Sequence, residues 1–330
     1  MNKKQVLTLV LLIVILGLSL IVAILLGGSG LEFSKAIYYL FHPGSSGIER
    51  DIIWQIRFPR IILGLFVGAG LACCGAVFQG LLRNPLAEPY TLGVSGGAAL
   101  GATLGVISAV SAIYLTLFAF TGSAVSIFLV YTIACRRQFS NPTLILGGVI
   151  LSFLFSSLVL LIFAVSRAED VHGIILWLMG DLSSAESSLI KIIPFFIFPA
   201  IGLLLIFSRD LNILTLGEEK ALHLGVDSKL VKKILFIAAS CITGACVAAS
   251  GIIGFVGLMV PHFMRRVIGV DHRLLLPASC IAGAAFLIFC DTLARIIIRP
   301  LELPVGVITG IFGGIFFLSF LLKSKHWRVF

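Results

Sequence analysis

The stretch GIIGFVGLMVPHFMRR, Gly251 to Arg266, decides how the chain must fold. It is apolar enough for lipid, yet Gly251, Gly254 and Gly257 are followed by Pro261. Glycine weakens a helix in water, and proline removes an interior hydrogen bond. A bilayer protein tolerates both where neighbouring helices or a water-lined cavity satisfy the freed backbone groups. Arg265 and Arg266 then end the apolar run abruptly. The pattern predicts a short, closely packed membrane helix ending at a cytoplasmic surface, rather than a plain lipid-facing span.

The rest of the chain has the same character. Its 330 residues are 59% hydrophobic and 12% charged, against about 25% charged in a soluble domain. Runs of 18 or more apolar residues, each long enough to cross a bilayer, recur along it. The net charge of +9 would suggest nucleic acid in a soluble protein. Here the basic residues lie between apolar spans, so membrane orientation accounts for them and no nucleic-acid partner is expected. Of the seven cysteines, Cys73 and Cys74 are adjacent, and Cys135, Cys241, Cys246, Cys280 and Cys290 lie in or beside apolar runs. They show no metal-ligand spacing and read as small buried hydrophobes.

The expected architecture is an all-α polytopic transmembrane bundle of about ten spans, a single permease domain over 1–330. The spans run near Val6–Leu26, Ile61–Leu82, Tyr90–Ile107, Ile113–Ala134, Thr143–Val165, Ile190–Phe207 and Ile234–Ala249, then the opening stretch, Leu274–Ile298 and Pro304–Leu322. The first has too long an apolar core and too poor a cleavage site for a signal peptide, and is read as retained. With both termini inside, Lys35, Arg50, Arg57, Arg60, Arg167, Lys191, Arg295 and Arg299 are the only outer cations of the 24. That bias supports an N-in, C-in multi-pass protein.

Glycines recur at steps of four: Gly93, Gly97, Gly101 and Gly105; Gly306, Gly310 and Gly314; Gly64 and Gly68. Residues four apart share a helix face, and a glycine seam lets backbones approach closely in lipid. These seams are expected in the packed interior or at a subunit contact.

Signs of chemistry are few. Asp291 is the one acidic residue placed well inside a span, and Arg295 four residues on offers it an intrahelical pair. That pairing is the simpler account, although an ion-gradient-driven secondary transporter would need such a group as a relay. No G-x-x-x-x-G-K-[ST] loop occurs, so the chain has no phosphate-binding loop of its own. His42, His172, His223, His262, His272 and His326 form no H-E-x-x-H. A bound metal, a bound cofactor and enzymatic activity are not expected.

The opening stretch with GVDHRLLLPAS (Gly269–Ser279), the block from Arg57 to Ala102 containing RFPR and LLRNPLAEPYTLGVSGG, and DTLARIIIRPLELPVGVITG (Asp291–Gly310) resemble the FecCD-type permeases. These are membrane subunits of binding-protein-dependent ABC importers for iron-siderophores, haem and cobalamin. The resemblance implies a type II ABC importer permease fold in the bacterial inner (plasma) membrane, and a homodimer or a dimer with a close paralogue. It also implies two ATPase subunits using ATP and Mg, a soluble substrate-binding protein, and alternating access without covalent chemistry in this chain.

Particular residues follow from it. In the cytoplasmic loop 209–233, Ala221, Leu222, Leu224 and Leu230 are apolar points among charges, and by themselves fit a surface helix or a solvated connector equally. The resemblance makes it the coupling loop, with Glu218, Ala221, Leu224 and Gly225 at the ATPase contact. It gives Arg57, Arg60 and Arg295 the role of receiving carboxylates of the binding protein, which suits the planar guanidinium fork. It places Ser140, Asn141, Pro142 and Thr143 at an inner gate. Gly313-Gly314-Ile315 departs from the Gly-Ala-Pro common in relatives, which leaves a kink in the last span in doubt.

Overall fold

The apolar runs form α-helices throughout the computed structural model, which describes residues 2–28, 30–183 and 187–323 and has no strand among them. In chain order these are α1 (Lys3–Leu25), α2 (Phe33–Phe41), α3 (Ile48–Asp51), α4 (Phe58–Leu82), α5 (Val94–Ile107), α6 (Ala112–Arg136), α7 (Asn141–Val165), α8 (Ala168–Leu178), α9 (Ser187–Ile206), α10 (Ser208–Thr215), α11 (Glu218–His223), α12 (Ser228–Ser250), α13 (Val256–Ile268), α14 (His272–Ile296) and α15 (Val305–Lys323). Lys325, Arg328 and His326 lie outside the described residues.

Helix α4 is the axis of the bundle. It packs against α9, α12, α13 and α14, and almost every residue from Arg60 to Leu82 is buried. Its sequence is apolar or small on all sides, as a fully enclosed helix requires. Cys73 and Cys74 therefore behave as packing groups, with no accessible surface.

This helix also runs further than the sequence suggests. Residues 48–82 are continuous, because α3 leads through a π-helical segment, Ile52–Arg57, into α4. Pro59 lacks an N–H and its ring crowds the carbonyl four residues back, and the wider π turn before it relieves both. The stretch between the first two expected spans is thus largely helical. It also contains α2, whose exposed Phe33, Ile37, Tyr38 and Phe41 form the apolar face of a surface-lying helix.

Among the described residues, six helices are long and apolar enough to cross a bilayer, or seven if α9 and α10, bent by 53°, count as one span. The expected ten spans are therefore not confirmed. The segments expected as spans 3, 8 and 10 are shorter. At 1.5 Å per residue α5 and α13 reach only ~20 Å, against ~30 Å of hydrocarbon. Each is preceded by irregular chain: the 3-10 turn Pro89–Leu92 before α5, and residues 251–255 before α13. The opening stretch is thus only partly helical. Asp271 caps α14; burial raises its carboxyl, but the Arg273 backbone N–H and the Asn212 amide outweigh this and hold it below the usual carboxylate range.

The glycine seam of α5 packs against α6. An added Cβ on Gly97 would sit 2.4 Å from the Gly122 carbonyl oxygen, and one on Gly101 2.1 Å from that of Phe118. Gly105 meets Leu115, and Gly93 holds a left-handed φ of 83° beside Gly148. Gly306 packs on the Met179 carbonyl, but Gly310 and Gly314 meet nothing within 4 Å. Packing within the chain therefore does not explain Gly310.

Candidate functional site

Three groups of polar side chains stand out in an apolar body. The first lies where α1 ends. Its last carbonyls have no helical partner and no capping residue follows, only Gly27 and Gly28. Arg57 donates to the Ile24 and Leu25 oxygens at 2.6 and 3.1 Å, and Arg295 to those of Ala23 and Leu26 at 3.3 Å. Two cations thus cover all four orphan carbonyls at the negative end of the helix dipole.

Arg60 completes this group. It donates to Asp291 at 2.8 Å and to Glu302, and Asp181 stands 3.8 Å away. Asp291 also pairs with Arg295 at 3.0 Å. The intrahelical pair expected from the sequence is present as part of a larger network. Arg57, Arg60 and Arg295 are only 2–3% exposed, so they are not free rim arginines. They border a cavity of about 380 Å³ with Gly27, Ile56 and Glu302. Sequence reasoning missed Glu302 and Asp181, because only tertiary contact brings them to Arg60.

The second group closes the break before α13. Phe255 has a left-handed φ of 67°, strained for a bulky residue. Its N–H donates to Glu88 Oε1 at 2.8 Å, and its ring lies over Gly313, where a Cβ would be 2.2 Å from it. That contact explains a glycine at 313. Tyr90 Oη donates to the Ile253 carbonyl at 2.9 Å and accepts the Ile253 N–H at 3.2 Å. Gly180, Gly251 and Gly306 interlock nearby, with the Asp181 N–H donating to the Ser250 oxygen at 2.8 Å. Every freed backbone group named here finds a partner, as lipid demands. Tyr90→Phe leaves both Ile253 groups unpaired. It is expected to destabilise the protein by about 1–3 kcal/mol, read as a lower melting temperature in detergent; an unchanged value would place the support elsewhere.

The third group lies at the opposite end of the bundle. The loop 209–233 folds into α10, α11 and the first turn of α12. Gly217 and Gly225 take left-handed φ values of 125° and 80° at the two ends of α11, and Val226 N–H closes on the Ala221 oxygen at 3.0 Å. Ala221 is fully buried, so its side chain anchors α11 to the body, while Leu222 and Leu224 point away at 69% and 60% exposure. Glu218 is bonded to Lys232, whose ammonium also donates to Asn141 Oδ1 at 2.9 Å. In the turn expected at the inner gate, Ser140 and Thr143 share a hydroxyl hydrogen bond of 2.7 Å, and Pro142 is exposed. The structure thus joins Glu218 to Asn141 through Lys232, which the sequence did not single out. Leu224 and Gly225 stay apart from that contact.

The chain matches the model of the FecCD transport family over residues 11–323. It is 36% identical to the hemin transport system permease protein HmuU of Yersinia pestis, covering 94% of this chain and 95% of that one. It is 41% identical to the cobalamin import system permease protein BtuC of Halobacterium salinarum, covering 84% and 74%. A solved inward-facing structure of a metal-chelate type ABC transporter superposes with a TM-score of 0.86 at 31% identity, over 96% of this chain and 99% of the other. Its six or more apolar helices, its broken helix before α13 and these matches together make the chain a member of the FecCD transport family.

Proposed function

We propose that this chain is the membrane-spanning permease subunit of an ATP-driven, binding-protein-dependent importer of metal chelates, with siderophore-bound iron as its cargo. Two copies surround one pathway in the bacterial inner membrane. Two ATPase subunits dock inside and a soluble binding protein delivers cargo outside, with ATP and Mg used only by the ATPase. The observation that carries this reading is α11: a short helix anchored inward by Ala221 and Glu218, with Leu222 and Leu224 left uncovered. Uncovered leucines beside charged residues suit a groove on a partner protein. On the outer side, the arginine-bordered cavity supports docking by carboxylates of the binding protein, which would reach Arg57, Arg60 and Arg295 from that cavity.

The test is uptake of a ferric hydroxamate siderophore by proteoliposomes holding the chain, its ATPase and its binding protein. Uptake is expected to require ATP, and Leu224→Asp to lower it by about tenfold or more, as loss of a central interface anchor does. Accumulation by the permease alone, driven by a proton or sodium gradient, would overturn the reading. The pairing of Asp291 with Arg60 and Arg295 gives this residue a structural role without any relay.

A further inference from the structure

We propose that Lys232 is the positioning residue that links movement of α11 to the gate turn at residues 140–143; this rests on the ATP-driven reading above. Lys232 sits on the second turn of α12 at the end of the bundle that also carries α11, yet it is 2% exposed. A lysine is almost never fully buried unless paired. Its ammonium bonds one group on each of two separate parts: Glu218 of α11 and Asn141, the first residue of α7. The remaining contacts extend the chain of bonds. Asn141 Nδ2 donates to the Leu81 oxygen at 3.2 Å, at the end of α4, and Ser228 Oγ donates to the Glu218 oxygen at 3.3 Å.

A second grip lies one helical turn further along α12. Phe236 meets Phe139 edge to face at 5.7 Å, and Phe139 meets Tyr131 at 5.9 Å. Gln138 and Phe139 both hold left-handed φ values, 56° and 57°. Adjacent non-glycine residues in that region persist only where their surroundings over-determine them. The base of α12 therefore holds the gate turn at two points, Phe236 on Phe139 and Lys232 on Asn141. Only the Lys232 point also touches α11. When nucleotide closes the ATPase pair on α11, Glu218 moves, and the shared ammonium carries that movement to Asn141. Phe236 alone keeps the turn folded without connecting it to the partner.

The experiment uses the full permease–ATPase complex in lipid nanodiscs. The exposed Cys135 and Cys241 are replaced by serine, and Pro142→Cys serves as a maleimide reporter. With Lys232 in place, trapping with ATP and vanadate is expected to change the labelling rate by about tenfold or more, the scale of an allosteric coupling. Lys232→Met keeps the stem and loses the bonds, and the response is expected to shrink to within about twofold. Lys232→Arg is expected to restore most of it. Asn141→Leu severs the gate side together with the Asn141–Leu81 bond, leaves the Glu218 pair, and is expected to reproduce the loss if the methionine variant does not assemble. A full nucleotide response in either Lys232→Met or Asn141→Leu overturns the proposal. If the reporter complex with Lys232 intact ignores nucleotide, the ATP-driven reading falls, and this link with it.

Discussion

Asp291→Leu is expected to lower the melting temperature in detergent by on the order of 10 °C, reflecting a loss of about 3–5 kcal/mol. The carboxylate is 2% exposed and is shared by Arg60 and Arg295, themselves 3% and 2% exposed. Removing it leaves two buried guanidinium groups facing each other without the anion between them. Removing one partner of a buried ion pair is far worse than replacing the whole set with apolar groups. Asp291→Asn keeps the hydrogen-bonding oxygen and should fall between the two. Glu302→Gln should matter less, because Glu302 is 39% exposed and water screens its pair. Fluorescence-detected size-exclusion chromatography after a heat step reads all three. An Asp291→Leu variant as stable as the original would show that the network does not hold the outer end together. An Asn variant of full stability that lost uptake would instead favour an ion relay at this position.

Gly75→Ala is expected to be as damaging, for a steric reason. A Cβ there would sit 1.7 Å from the Gly257 carbonyl oxygen and 2.7 Å from its Cα. Both obstacles are backbone, so no rotamer change relieves them; α4 and α13 must separate. Gly257 is confined in turn by the Leu71 carbonyl and Pro89, each within 2.8 Å of its own added Cβ. The cost is expected at about 3 kcal/mol or more, at or above the upper end for overpacked cores. Gly17 supplies the control, since nothing lies within 4 Å of its added Cβ. Gly17→Ala should leave stability unchanged or raise it by about 0.5–1 kcal/mol through helix propensity. Equal melting temperatures for the two variants would refute the packing argument.

The glycines also show what a membrane sequence makes legible. The seam at Gly93, Gly97 and Gly101 could be read because α5 presents one face to α6, so spacing by four marks the contact. Helix α4 is different. Gly68 meets Gly283 of α14, Gly70 meets Cys246 of α12, Gly75 meets Gly257 of α13, and Gly80 meets His272. A helix enclosed on every side uses every face, and no single period records it. Lipid removes the usual polarity contrast between inside and outside, so apolar residues alone do not reveal which helix is central. The family's motifs in the sequence led to the fold class, and the glycines and proline of the opening stretch to a short α13, whereas the length of α5 did not follow from hydropathy.

The sites divide in a similar way. Arg57 and Arg295 were visible as outer cations, but their engagement with the end of α1 depends on residues more than thirty positions away or on the far side of the chain. Glu218 and Asn141 were each visible by resemblance. Lys232 was hidden among five cations between Arg209 and Lys233, and burial alone distinguishes it from Lys229 or Lys233. Burial is a tertiary property that charge patterning does not carry.

The unbroken helix from Ile48 to Leu82 has a mechanical consequence. Arg57 and Arg60 lie about a third of the way along it, and near its far end the Leu81 carbonyl accepts from Asn141. At 1.5 Å per residue the stretch from Arg57 to Leu81 forms a lever ~36 Å long, so a tilt of about 5° imposed at Arg57 displaces the far tip by about 3 Å. On the function proposed above, arrival of a loaded carrier on one side of the membrane would be felt at the opposite side through this one continuous helix.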